Sequence, residues 1–194
     1  MSTFIHPTAI VEDGAVIGAG TKIWHFVHVR RGARIGDNCV FGKNVYIDAD
    51  VSVGSAVKIQ NNVSVYHGVE VGDGVFLGPH VCFTNDLNPR AVNPDMTLRS
   101  ESDWVLASTK LSRGVSVGAN SVIVAGITIG EWALIGAGSV VTRTVPAYAL
   151  VYGNPGRIRG VVAPTGEIVS KKYEFGAEYV TADGKVRFRT PDAP

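Results

Sequence analysis

Ile5, Val11, Ile17, Ile23, Val29, Ile35, Phe41, Ile47, Val53, Ile59, Val65, Val71, Leu77 and Phe83 stand six residues apart, fourteen large apolar side chains without an exception. Two places before each anchor from Val11 on, the residue is small or β-branched, from Ala9 and Ala15 through Cys39 to Val81. A period of six is not the roughly 3.6-residue period of an amphipathic helix. It suits very short strands, rich in β-branched residues, joined by tight corners. One such unit cannot bury its own apolar side, so the units must stack around a shared core. Glycine, with 23 copies in the chain, is expected at the corners, where it supplies backbone angles that are costly for other residues. The predicted class is all-β, a parallel β-helix of hexapeptides.

The rhythm stops after Phe83. Residues 84–104, TNDLNPRAVNPDMTLRSESDW, carry asparagines, prolines and charges but no sixfold anchor, and read as an inserted loop or arm. The count resumes at Val105, Leu111, Val117, Ile123, Ile129, Ile135 and Val141. Residues 1–160 are thus read as the solenoid, and 161–194 as a short C-terminal β tail with a hairpin turn at Asp183-Gly184. The tail is expected to act as a cap or a subunit contact.

Composition excludes several functions. With 18 basic and 17 acidic residues, the chain has no bulk attraction to nucleic acid or to an anionic membrane. Cys39 and Cys82 are too few for a disulfide framework or a four-thiolate zinc site. No apolar run is long enough to span a bilayer, and the start MSTFIHPTAIVEDG lacks the regions of a signal peptide. The expectation is a soluble cytoplasmic protein with neither nucleic-acid nor membrane partners.

If eighteen residues make a coil, residues eighteen apart stack in columns, about 4.8 Å per step. One edge carries Gly18, Gly36, Gly54 and Gly72. A second carries Trp24-His25, Gly42-Lys43, Gln60-Asn61 and Gly78-Pro79. The third carries Glu12-Asp13, Arg30-Arg31, Asp48-Ala49, Tyr66-His67 and Thr84-Asn85, with no glycine at the first place of any pair. The insertion leaves from this same third edge. A polar column roofed by an insertion marks a candidate site.

The stretch GANSVIVAGITIGEWALIGAGSVVTRTVPAYALVYGNPGRI, residues 118–158, resembles the terminal coils of hexapeptide-repeat acetyltransferases. Residues 4–162 most resemble the N-acetyltransferases of nucleotide-linked amino sugars. IWHFVHVRRGARIGDNCVFGKNVYI and FTNDLNPRA are similar to the family acting on UDP-2-acetamido-3-amino-2,3-dideoxy-glucuronate for surface polysaccharide, such as the O-antigen of lipopolysaccharide. The resemblance implies a left-handed β-helix, acetyl-CoA as cosubstrate, no metal, and a homotrimer with active sites between subunits. For attack of a sugar amine on a thioester, the column offers His67 as candidate general base, with the leaving sulfur as the alternative proton acceptor, and Asn85 as the residue that holds the amine or the carbonyl. Arg30 and Arg31 would neutralise the diphosphate or a sugar carboxylate, and Trp24 would stack on a ring, with His25 and Tyr66 beside these substrate-binding groups. Ala125-Gly126 and Thr142-Arg143, placed on the Trp24 edge, would line the pantetheine arm, with Arg143, Arg157 and Arg159 at the phosphates of CoA.

Three alternatives stand beside this reading. One is an acetyltransferase for a dTDP-linked 3-amino-deoxyhexose. A γ-type carbonic anhydrase would hold zinc with three histidines, but His6, His25, His28, His67 and His80 show no close H-x4-H pair. A non-catalytic scaffold would leave the glycine-free edge and the insertion unexplained.

Overall fold

The computed structural model of the chain describes residues 2–194. Two-residue strands recur along it, from Phe4–Ile5 and Ile10–Val11 to Val140–Val141. Each pairs in parallel with a strand one coil away: Phe4 lies beside Lys22, Val16 beside Arg34, His28 beside Tyr46. Three hexads therefore make one coil, and the strands collect on three faces, in sheets of ten, seven and six. The chain forms the expected parallel β-solenoid.

Strand alternation turns each anchor and the small residue two places before it inward, and the residue between them outward. Ile23, Val29, Phe41, Ile47, Val65 and Leu77 are wholly buried, as are Val27, Ala33, Cys39 and Val63. Burying one large anchor contributes about 1.5–3 kcal/mol, and the gain repeats coil after coil. The first coil is open, with Ile5 44% exposed. Cys39 belongs to the core: burial pushes its thiol up, and its Sγ donates to the Gly54 carbonyl at 3.1 Å. Cys82 faces outward.

The corners correct the expected role of glycine. Left-handed backbone falls three places after the anchors, where Asn38, Asn44, Asp50 and Asn62 adopt it alongside glycines such as Gly32. The column Gly18, Gly36, Gly54 and Gly72 stands one place after its anchors and lies outside the left-handed region. There the coils nearly touch. A Cβ on Gly36 would sit 2.6 Å from the Gly54 carbonyl carbon and the Ser55 nitrogen, so glycine is required by the next coil and not by torsion. The corner amides are satisfied from that coil as well: Ala19 N–H donates to Asp37 Oδ1 and Ser55 N–H to Asp73 Oδ1, both at 2.7 Å.

After Cys82–Phe83 the chain leaves the solenoid and returns at Thr109–Leu111, with a 3-10 turn at Glu101–Asp103 between. Val71 pairs with Leu111 and Phe83 with Ile123, forty residues on instead of eighteen, so twenty-two residues are inserted. Val105, expected as the first resumed anchor, belongs to the insertion and is 85% exposed. The return path runs outside the core: Thr109 N–H donates to the Gly68 carbonyl at 2.9 Å, and a Cβ on Gly68 would meet the Leu106 side chain at 2.6 Å. The inward count restarts at Leu111.

Ala149–Tyr152 and Arg157–Val162 pair antiparallel at the end of the first face, followed by Ile168–Ser170. Arg157–Val162 runs through residue 160 as one strand. Glu178–Val180 and Arg187–Arg189 form a hairpin whose turn carries Asp183 and Gly184. The tail packs on the glycine edge, with Phe188 4.7 Å from Tyr148 between ring centroids and the Tyr173 hydroxyl donating to the Ala147 carbonyl. Among the described residues no helix is long and apolar enough to cross a membrane.

Candidate active site

Strand register places Glu12, Arg30, Asp48, Tyr66 and Thr84 one above another at the corner that follows the second face. Charge alternates up this column, and the structure ties it together. Arg30 reaches Glu12 Oε1 with Nε at 3.3 Å and Asp48 Oδ1 with a terminal nitrogen at 3.4 Å. Tyr46 and His28, outward-facing on the adjoining strands, complete the network: Tyr46 hydroxyl donates to Asp48 Oδ1 at 2.9 Å, and His28 Nε2 lies 2.8 Å from Glu12 Oε1. The Arg31 N–H, then the His28 ring and the Arg30 guanidinium, hold the Glu12 carboxyl below its usual range. Burial pushes the Asp48 carboxyl up, but the N–H groups of Ala49 and His67, the Tyr46 hydroxyl and Arg30 outweigh it and keep its pKa low.

His67 hangs from Asp48. Its N–H donates to Asp48 Oδ2 at 3.2 Å, and its ring Nδ1 lies 3.0 Å from the Ala49 carbonyl. A carbonyl can only accept, so Nδ1 carries a proton, and in the neutral tautomer the lone pair is left on Nε2. One coil on, Asn85 Nδ2 donates to the His67 carbonyl at 3.4 Å, and the main-chain carbonyl of Asn85 accepts from Ala107 N–H at 3.3 Å. His67 and Asn85 are thus brought together, with Tyr66 beside them, 6.2 Å from Tyr46 between ring centroids.

The other expected residues are distributed differently. Arg30 is occupied by Glu12, Asp48 and Tyr46, whereas the Arg31 side chain is 74% exposed. Trp24 and His25 stand on a separate edge, in a cleft of about 330 Å³ shared with Lys43, Gln60 and Asn61. Ala125, Gly126, Thr142 and Arg143 were expected on that edge, but pairing of Phe83 with Ile123 and Ile123 with Val141 puts them above His67 and Asn85. The length of the insertion decides this register, and hexad counting does not reveal it. Ala125 is buried and donates its N–H to the Thr84 hydroxyl at 2.9 Å, while Gly126 donates to the Thr109 hydroxyl at 3.1 Å. Thr142 and Arg143 are exposed. Arg157 and Arg159 lie at the end of the solenoid, with Arg159 5.6 Å over the Tyr152 ring.

A cleft of about 470 Å³ at the root of the insertion, lined by Asn85, Asp86, Arg90, Arg99, Ser100 and Trp104, was not expected. Only Asn85 was singled out by the column. The remaining residues repeat nothing eighteen places away, so no periodic signal marks them.

Models of the family described as bacterial transferase hexapeptide (six repeats) match residues 14–49, 50–85 and 108–143, more than half of the chain, and break at the insertion. Over 193 aligned residues, 94% of this chain and 93% of its own, the dTDP-3-amino-3,6-dideoxy-alpha-D-galactopyranose 3-N-acetyltransferase of Aneurinibacillus thermoaerophilus is 50% identical. The chain belongs to the hexapeptide-repeat transferases. It is an acetyltransferase. An N-acyltransferase from Bacillus cereus, solved as a mutant with dTDP and coenzyme A, shares the fold of this acetyltransferase, with a TM-score of 0.53 and 16% identity over 82% of this chain and 83% of that one. A mutant perosamine N-acetyltransferase of Caulobacter crescentus, solved with CoA and GDP-perosamine, is 23% identical with a TM-score of 0.45, over 82% of this chain and 57% of that one.

Proposed function

We propose that this chain transfers the acetyl group of acetyl-CoA to the 3-amino group of a nucleotide-linked amino sugar, in the cytoplasm and for surface polysaccharide. The observation that carries this reading is the 50% identity, over 94% of the chain, to a sugar 3-N-acetyltransferase.

Two sugars compete. The segments around Trp24 to Ile47 and around Asn85 to Arg90 support UDP-2-acetamido-3-amino-2,3-dideoxy-glucuronate, whose carboxylate needs a guanidinium. The relative's name supports a dTDP-linked 3-amino-3,6-dideoxyhexose, which has no carboxylate. Arg30 bears on the choice, because its charge is already shared by Glu12 and Asp48. Arg31, largely exposed and only 3.9 Å from Glu12 at its nearest, is then the more available guanidinium on the column.

The chemistry follows from the arrangement. A neutral amine, held by Asn85, attacks the thioester carbonyl; the developing oxyanion needs a donor, and the carbon–sulfur bond then breaks. The ammonium proton goes either to His67 Nε2 or to the leaving sulfur, giving amide and free CoA. Thr142 and Arg143, exposed two coils above Asn85, suit the pantetheine arm and phosphates better than Ala125 and Gly126, whose N–H groups are spent. Arg157 would extend the phosphate site.

Trp24 and His25 need a second subunit to meet this column, which supports a homotrimer with sites between subunits. Sedimentation is expected to show a trimer; a stable monomer at assay concentration would contradict it. Acetyl transfer itself is tested by thiol release from acetyl-CoA. Release is expected with UDP- or dTDP-linked 3-amino sugars and not with their 4-amino isomers. Silence with both 3-amino sugars would sink the reading.

A further inference from the structure

We infer that the cleft at the root of the insertion binds the nucleoside diphosphate of the sugar nucleotide, with Arg90 and Arg99 on the diphosphate and Trp104 on the base. The inference rests on the reading above and assigns the substrate's nucleotide end to residues that the repeat never marks.

Asn85 belongs both to the column and to the cleft wall. A substrate whose amine lies at Asn85 must therefore extend its other end down the column or out into the cleft. The column has no guanidinium to spare for a diphosphate: Arg30 is shared between Glu12 and Asp48, and Arg31 lies 3.9 Å from the other Glu12 oxygen, so its two carboxylates offset its two cations. The cleft has the opposite character. Arg90 and Arg99 each give one N–H to a backbone carbonyl, Pro89 at 2.8 Å and Asn88 at 3.1 Å. Most of the five donors of each guanidinium remain. Among the described residues, neither meets a carboxylate within ion-pair distance; Asp103, near Arg99, is bound to Ser100 N–H at 2.7 Å and to its hydroxyl at 2.8 Å. Among the described side chains Asp86 is the one carboxylate of the lining, and it accepts the Asn88 N–H at 2.7 Å.

Guanidiniums bind phosphate oxygens through paired, charge-assisted hydrogen bonds. Trp104, half-buried, adds the flat apolar surface on which a base stacks. The cleft volume of about 470 Å³ lies within the usual range of small-molecule sites. Loop residues, more than Trp24 on its distant edge, would then choose between uridine and thymidine.

Titration calorimetry of the full chain with UDP, dTDP and CoA, each alone, tests this without requiring acetyl transfer. The wild type is expected to bind UDP or dTDP. Arg99→Gln should raise that Kd about tenfold to a hundredfold and flatten its salt dependence. Trp104→Ala should raise it on the order of tenfold, with Trp104→Phe recovering much of the loss. CoA affinity and the unfolding temperature should stay at wild-type values in all three variants. Unchanged nucleotide affinity in Arg99→Gln and Trp104→Ala, or equal losses for CoA, would overturn the assignment even if the enzyme acetylates 3-amino sugars. A wild type that binds neither nucleotide would overturn it too, whereas thiol release reports on the proposed function separately.

Discussion

Asn85→Ala is expected to lower kcat by about 10²–10³-fold, at least as much as His67→Ala. An amine flanked by electron-withdrawing ring substituents titrates near neutrality, so a fraction is already unprotonated at neutral pH. Holding it against the thioester then matters more than removing its proton, and the departing sulfur can accept that proton. In the proposed reaction Asn85 holds the amine; its Nδ2 donates to the His67 carbonyl and its main-chain carbonyl accepts from Ala107 N–H. In its neutral form His67 offers a lone pair on Nε2, because Nδ1 donates to the Ala49 carbonyl. Were it an obligatory base, His67→Ala would lose roughly 10²–10⁴-fold. The defect of His67→Ala should shrink as pH rises and free amine accumulates, while that of Asn85→Ala should persist. Steady-state kinetics of both variants across neutral pH decide the order. A nearly dead His67→Ala beside an almost normal Asn85→Ala would reverse it.

Asp48→Ala should damage both stability and turnover, because Asp48 holds the corner that carries His67. Its carboxylate accepts the N–H groups of Ala49 and His67 and the Tyr46 hydroxyl, and it pairs with Arg30. Stranding these partners costs about 1–3 kcal/mol, and freeing the His67 corner should lower kcat by up to about 10²-fold through misplacement. The folded-state carboxyl titrates below its unfolded value. Its contribution is therefore complete above about pH 4, the unfolded value, and fades as pH falls through the lower folded one. Unfolding temperatures of wild type and Asp48→Ala should converge in acid and separate at neutral pH. A gap that persists into acid would show that the carboxylate charge contributes nothing. Asp48→Asn, which keeps one acceptor oxygen, should retain more activity than Asp48→Ala; equal losses would mean that His67 is not positioned from here.

The fold was legible because it is written once per hexad. Ile23, Phe41 and Ile59 each fill the same inward place, so errors at one coil are corrected by the next. The glycine column was visible for the same reason, but its cause was not. Only the spacing of Gly36 from Gly54 shows that backbone contact, and not torsion, excludes a side chain there. Where periodicity ended, so did reliable placement. Val105 matches the apolar pattern yet faces solvent, since the insertion has not re-entered the core at that point. The same hidden register moved Ala125 and Arg143 onto the edge of His67. The alternation of Glu12, Arg30 and Asp48 was readable eighteen apart, and it foretells an ion-paired column. Its completion by Tyr46 and His28 was not, because those side chains leave from the strands and not from the corners. Arg99 and Trp104 reach Asn85 only through the path of a non-repeating loop.

The most direct measurement is the structure of the product itself. The purified chain, given acetyl-CoA and a nucleotide-linked 3-amino sugar, should yield a compound whose NMR spectrum places one new acetyl group on the nitrogen at carbon 3. Acetyl on a hydroxyl, acetyl on a 4-amino isomer offered in competition, or no acetylated product with either UDP- or dTDP-linked substrate would contradict it.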